Sequence, residues 1–326
     1  MNSPTSTPMR MLVTGATGFI GRTLISIAVP LHLRAAVRSH SVPALCADQV
    51  VIGNIDGQTD WSQALAGIDC VVHLAAHVHV MNPSAGDQIE YERTNAHGTK
   101  RLALAAAEAG VKRFVYLSSI KVNGESTGDR AFRADDLPQP RDAYAQSKLQ
   151  AEQCLAAIEA SSGMSIAVVR APLVYGPGVR ANFLRLLSLA HSGLPIPLAS
   201  IGNVRSMVSV WNLCDLICTL LRHERPAGGV FLVADGEDVS TAELIRRLAN
   251  FMRRPARLIA IPAWALRTIA VLTGRQAELS KLCASLTVDI SQTRARLDWS
   301  PPVTLDAGLE RTVGWYLQEL TDQKAA

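Results

Sequence analysis

Aromatic side chains are scarce in this chain: five tryptophans, five tyrosines and six phenylalanines make up 5% of its 326 residues. Charge is sparse as well, at 18%, and the net charge is only +4. No lysine/arginine run with interleaved aromatics occurs, which argues against a nucleic acid partner. The six cysteines (46, 70, 154, 214, 218 and 283) are scattered rather than paired. Cys214 and Cys218 stand four apart, but with no second cysteine or histidine pair nearby they read as small buried apolar residues, not metal ligands. With no disulfide framework implied, a reducing cytoplasm is the expected compartment.

Long hydrophobic runs are missing too. The opening MNSPTSTPMR has no hydrophobic signal core and reads as a short disordered lead-in. The longest apolar stretch, LIAIPAWALRTIAVL (258–272), is broken by Pro262 and Arg267 and falls short of the ~20 residues needed to span a bilayer. It reads as a core helix, with contact to a membrane surface as the alternative, so no integral membrane segment is expected. What is present, 48% apolar residues, suits a globular protein of one large domain or two modest ones.

Short β-branched runs alternate with helical stretches through the first half. Strands are expected at RMLVTG (10–15), HLRAAVR (32–38), QVVIG (49–53), CVVHLAA (70–76), RFVYLSS (113–119) and IAVVRA (166–171), and again at GGVFLVAD (228–235). Nearly continuous apolar strands separated by helices predict a doubly wound parallel α/β sheet of the Rossmann type, covered on both faces. After residue 171 the texture turns glycine- and proline-rich, then helical. Residues 10–171 with 206–235 therefore read as a dinucleotide-binding domain. Residues 172–205 with 236–326 read as a smaller, mostly helical lobe for the substrate.

VTGATGFIGRTL (13–24) joins the first strand to the first helix, with Gly15, Gly18 and Gly21 spaced three and three. Such a turn lets the backbone approach a pyrophosphate, which the helix N-terminus then receives; Thr17, Phe19 and Ile20 share that stretch. An acidic residue ~20 positions on would hold the ribose 2′-hydroxyl of NAD. None occurs between Arg22 and Ala47, and Arg38 stands at the second strand's end, with Arg34 upstream. A guanidinium there suits a 2′-phosphate, so NADP(H) is the expected preference, with NAD(H) as the alternative.

Tyr144 is the only tyrosine that stands four residues ahead of a lysine, Lys148. On a helix the two share a face. A nearby cation stabilises a phenolate, so the pair reads as a proton-handling device beside a hydride carrier, and Ser119, at the end of the fifth strand, is placed to hold the reacting oxygen.

Together TGATGFIG, HLAA (73–76), Ser119, Tyr144-x-x-x-Lys148 and LVYGPG (173–178) resemble the extended short-chain dehydrogenase/reductases, and more closely the NAD-dependent epimerase/dehydratase branch that acts on nucleotide sugars. The likeness runs from about residue 10 to 317. It implies that Ser119, Tyr144 and Lys148 form a catalytic triad. It also implies that Leu74, Ala75 and Ala76, with Asn54, Ile55, Pro172 and Val174, lie along the cofactor. Asn182 and Arg205 would reach a UDP-sugar, with Lys121 and His79 also in the substrate set. No metal is implied for the histidines of HLAAHVHV, whose His77 and His79 are expected to line the pocket or cap its loop. The same likeness suggests a homodimer through helices near 87–109 and 143–160, although the alanine-rich LALAAAEAG face could equally pack on its own sheet.

One departure stands out. Where many members read Ser-x-x-Val-Tyr-Gly, this chain has Asn123 in place of the tyrosine, and it lacks the acidic pair that dehydration requires. The chain, SSIKVNGE in particular, is similar to reductases that convert a UDP-4-keto-6-deoxy-N-acetylhexosamine to UDP-N-acetylquinovosamine or its C4 epimer in surface-polysaccharide synthesis. That reduction is the leading expectation. A UDP-hexose 4-epimerase is the alternative, and a non-catalytic dinucleotide-sensing module a lesser one.

Overall fold

The computed structural model describes residues 9–28, 32–40, 45–78, 85–225, 227–272, 274, 276 and 282–325. Among them, seven parallel strands make the main sheet: β1 (Arg10–Thr14), β2 (His32–Val37), β3 (Asp48–Val51), β4 (Cys70–His73), β5 (Arg113–Ser119), β6 (Ser165–Ala171) and β9 (Gly229–Leu232). Their spatial order is β3-β2-β1-β4-β5-β6-β9, so the winding reverses between β1 and β4. In an open α/β sheet, that reversal opens a crevice at the strands' carboxyl ends. Register across it pairs Val13 with Val72 and Thr14 with His73.

The strands are apolar along their length because both faces are covered. Alternate residues feed two cores. Met11, Val13, Val72, Val115 and Val169 face one side, where they pack with Leu24 of α1 (Phe19–Ile27) and Leu213 and Ile217 of α7 (Val210–Arg222). Leu12, Val71, Phe114 and Val168 face the other, against Leu102 of α4 (Thr99–Glu108) and Leu155 of α5 (Ala143–Ser162). Full burial of a leucine such as Leu102 contributes about 2 kcal/mol. Ala103 and Ala106 share that core, so this part of the alanine-rich face packs on its own sheet. Cys214 and Cys218 lie in the first core as small apolar residues.

A third core lies beyond the sheet, with Tyr175, Phe183, Leu187, Leu244, Ile245, Leu248, Leu309 and Val313 at its centre. It joins α6 (Ala181–Ser192), α8 (Thr241–Phe251) and the C-terminal helix Leu305–Ala325. A two-stranded parallel sheet of β7 (Leu173–Tyr175) and β8 (Met207–Ser209) leads into it. Those strands, three residues each, escape periodicity-based reading because they are too short to alternate visibly.

Candidate active site

Gly15 ends β1 with φ +69°, and a Cβ there would lie 2.7 Å from the Ala75 nitrogen. At Gly21 a Cβ would lie 2.3 Å from the Gly15 carbonyl oxygen. The turn therefore presses against both the strand beside it and the helix after it, as close backbone approach at a phosphate cradle requires. The Gly18 N–H donates to the Gly15 carbonyl (3.0 Å), closing the turn. Helix α1 then opens with no side-chain cap and no acid in its first turn, which leaves the N–H groups around Phe19 and Ile20 suited to an anion. Thr17 is exposed above the turn, and Leu74, Ala75 and Ala76 continue from β4 alongside it, half-buried. The residues present thus fit a dinucleotide pyrophosphate.

Thr14 ties the two sides of the crevice. Its hydroxyl accepts from the Ala75 N–H (3.2 Å) and bonds His73 Nδ1 (2.6 Å), while His73 Nε2 reaches the Thr99 hydroxyl (2.9 Å). Full burial, aided by the Lys148 charge, pulls His73 down to about 3, so it is a neutral structural link. Ile55 is buried beneath Gly98, where a Cβ would meet its Cγ2 at 2.6 Å; Asn54 beside it is exposed. Arg38 is exposed at the end of β2 and forms no ion pair among the described residues. Arg34 is engaged elsewhere. It pairs with Asp48 (2.9 Å) and donates to the carbonyls of Gln63, Ala64 and Ala66 at the end of α2 (Ser62–Leu65).

Ser119 closes β5, and alternation turns its neighbour Ser118 inward to donate to Glu152. Helix α5 starts at Asp142, whose carboxylate accepts from the Ala145 N–H (2.7 Å), and stops at Gly163 in the left-handed region. Its buried stripe is Ala145, Lys148, Ala151, Glu152, Leu155 and Ile158, which puts a cation and an anion in the interior. Lys148 Nζ donates to the Leu117 carbonyl (2.9 Å), 4.7 Å from the Tyr116 ring centre and 6.0 Å from that of Tyr144. Ser119, Tyr144 and Lys148 therefore converge where β5 meets α5.

The electrostatics correct one expectation. In the polypeptide, the Tyr144 phenol is pushed above its ordinary range by burial first, then by Asp142 and Tyr91, with a hydrogen bond to Ser119 pulling the other way. Burial draws Lys148 down to about 7, partly offset by Glu152. Burial dominates at both groups, so the chain alone does not make the phenol more acidic.

Asn95, Ser147, Glu152 and Arg170 had no sequence signal. The chain between Ala85 and Glu108, where a helix was expected near 87–109, is α3 (Ala85–Glu90), a π-helix Tyr91–Gly98 and α4. The widened turn buries Asn95, which accepts from the His77 N–H (2.8 Å) and donates to the His77 carbonyl (3.0 Å) and the Ser147 hydroxyl (3.0 Å). Ser147 in turn donates to the Tyr144 carbonyl (2.8 Å), and the Tyr91 ring meets the Tyr144 ring edge-on at 5.8 Å. Behind Ser119, Glu152 and Arg170 form a buried pair (2.6 Å). Arg170 also donates to Asn123 (2.9 Å), and Asn123 donates to the Arg133 carbonyl (2.8 Å). Asn123, the departure noted in the sequence, thus completes the shell around the buried arginine.

Of the substrate set, Lys121 pairs with Asp142 (2.6 Å) and Glu125 (3.6 Å). Asn182 is exposed in the first turn of α6. Arg205 is half-buried on a bridge that joins Val239 and Leu286. Pro172 is buried and Val174 half-buried at the β6–β7 junction; beyond it, Phe19 packs toward Gly176 and Gly178. His79 lies outside the described residues.

A family model for the NAD-dependent epimerase/dehydratase family matches residues 11–234. The chain belongs to that family. It is 40% identical over 317 residues to a UDP-glucose 4-epimerase of Vibrio cholerae, covering 95% of this chain and 96% of that one. The solved structure of MoeE5 in complex with UDP-glucose and NAD superposes with a TM-score of 0.77 at 26% identity, covering 95% of this chain and 99% of that one. A UDP-glucuronic acid 4-epimerase from Bacillus cereus, solved with NAD, matches in fold with a TM-score of 0.76 at 24% identity, over 95% and 99% of the two chains. This family member is an enzyme with a Rossmann-like α/β fold. No helix among the described residues is long and apolar enough to cross a membrane.

Proposed function

We propose that the chain is a nucleotide-sugar 4-epimerase that interconverts the C4 configurations of a UDP-hexose with NAD retained on the protein. The observation that carries this reading is the convergence of Ser119, Tyr144 and Lys148 at the carboxyl end of β5, in a chain 40% identical to a UDP-glucose 4-epimerase over nearly its whole length. When bound, the dinucleotide supplies a hydride acceptor, and in its oxidised form a positive charge. Tyr144 would take the C4 hydroxyl proton and return it, Ser119 would hold that oxygen, and Lys148 would lie beneath both, anchored on the Leu117 carbonyl. Gly15, Thr17, Gly18, Phe19, Ile20 and Gly21 would take the pyrophosphate. Asn54 and Ile55 would border the adenosine half, with Leu74, Ala75, Ala76, Pro172 and Val174 along the remainder. Asn182, Arg205, Lys121 and His79 would face the UDP-sugar. In this scheme, residues 10–171 with 206–235 hold the dinucleotide and the remaining lobe the sugar nucleotide. A homodimer through the helices near 87–109 and 143–160 completes the reading.

The second reading, NADPH-dependent reduction of a UDP-4-keto-6-deoxy-N-acetylhexosamine, rests on Arg38, exposed and unpaired among the described residues where a 2′-phosphate would lie. Both solved neighbours named above carry NAD, which weighs against it for this chain. Incubation with UDP-glucose and no added cofactor should yield UDP-galactose. Silence there, with NADPH oxidation on the 4-keto sugar, would replace the epimerase by the reductase; silence in both would leave the sensing module.

A further inference from the structure

We infer that helix α9 (Ala263–Leu272) and the arginine-rich segment before it form a docking face for an anionic lipid surface. The apolar run that contains α9 reads from sequence as a core helix, yet among its described side chains only Leu266 is buried. Leu266 is buried against the protein, while Trp264 (72% exposed), Val271 (55%) and Leu272 (81%) stand on the opposite stripe, at i, i+7 and i+8. Ile259, just ahead of the helix, is exposed too. In a chain with five tryptophans, Trp61 and Trp299 are buried and Trp211 and Trp315 half-buried, so Trp264 alone stands in solvent.

Charge identifies the occupant. Residues 244–277 contain seven arginines and no acid, more positive charge than the net +4 of the whole chain, so the rest is net acidic. Arg246 and Arg247 are already paired with acids. Arg253, Arg254 and Arg257, directly ahead of the apolar stripe, are exposed and form no ion pair among the described residues. A second copy docked on this face by two-fold symmetry would bring its own arginines against them. An anionic bilayer neutralises them while its interface receives the tryptophan and the two aliphatic side chains. Trp264, Val271 and Leu272 share one side of a single helix, an arrangement suited to a lipid interface.

The test is co-sedimentation of the full chain with vesicles of phosphatidylglycerol and phosphatidylcholine, against phosphatidylcholine alone. Binding should be about tenfold or more stronger to the anionic vesicles, should weaken as salt is raised, and should shift Trp264 emission to the blue. Trp264→Ser with Leu272→Asp, and separately Arg253→Glu with Arg254→Glu, should each lower it by about tenfold while turnover in solution is unchanged. Equal binding of the variants and the parent overturns the proposal. So does absence of binding to anionic vesicles, including the case where ultracentrifugation shows a Trp264-dependent self-association instead.

Discussion

Replacing Lys148 by methionine should stabilise the fold while abolishing turnover. Burial draws this lysine from its ordinary 10.5 to about 7, and each unit is worth about 1.4 kcal/mol, so holding the charge inside costs about 5 kcal/mol below pH 7. Methionine has a similar shape and no charge, but it forfeits the bond to the Leu117 carbonyl, worth about 1 kcal/mol. A net gain of about 2–4 kcal/mol is expected near pH 6.5. The sign of the pH dependence follows from proton counts. Between about pH 7 and 10.5 the unfolded chain keeps the lysine proton and the folded chain has released it, so the parent gains stability as pH rises and the variant does not. The advantage of the variant is therefore full below pH 7, shrinks by about 1.4 kcal/mol per unit above it, and is used up between about pH 8.5 and 10. Urea unfolding of both proteins at a series of pH values from about 6.5 to 9.5 reads this directly. A stability difference that stays constant across the series, or a variant less stable than the parent at the acid end, would refute the desolvation argument.

Other expectations follow from the same geometry. Tyr144→Phe should lower turnover by about two to four decades, with dinucleotide binding measured by calorimetry unchanged; wild-type turnover in that variant would remove the phenol from the chemistry. Gly21→Ala should weaken dinucleotide binding and lower the thermal midpoint, because its Cβ would lie 2.3 Å from the Gly15 carbonyl oxygen, a clash worth about 1–3 kcal/mol; an unaltered midpoint would show that the turn yields without cost. Glu152→Gln should cost about 3–5 kcal/mol by stranding Arg170, read as a fall in the urea midpoint. His73, drawn down to about 3, should stay neutral by NMR between about pH 5 and 8, and the fold should lose about 1.4 kcal/mol per unit as pH falls below 6.5, where only the unfolded imidazole takes up a proton. An imidazole that titrates near 6 in the folded protein would contradict its burial.

Six of the seven main-sheet strands, up to β6, were legible because a parallel sheet covered on both faces writes itself as continuous apolar runs, and β9 because a similar run returns late in the chain. The expected boundaries differ by up to three residues at an end; the fourth strand stops at His73 because Leu74 to Ala76 turn along the glycine loop. Gly15, Gly18 and Gly21 and the Tyr144–Lys148 spacing were readable as well, since each depends on neighbours close in sequence. Helix α5 shows where pattern reading weakens: its buried stripe includes Lys148 and Glu152, so its interior face looks polar on paper.

The sequence alone therefore determined the architecture, the glycine turn after β1 and the Tyr144–Lys148 spacing, all of which rest on local spacing and hydrophobic period, while its motifs carried the likeness to the family. Only the tertiary structure decided that Asn95 and Ser147 brace the Tyr144 backbone, that Asn123 completes the Arg170 shell, that Arg34 serves α2, and that α9 exposes Trp264, Val271 and Leu272. Lys148 is the clearest instance: its place in the chain names its partner, but its charge is governed by how much water the packed strands and helices exclude, and that is a property of the whole fold.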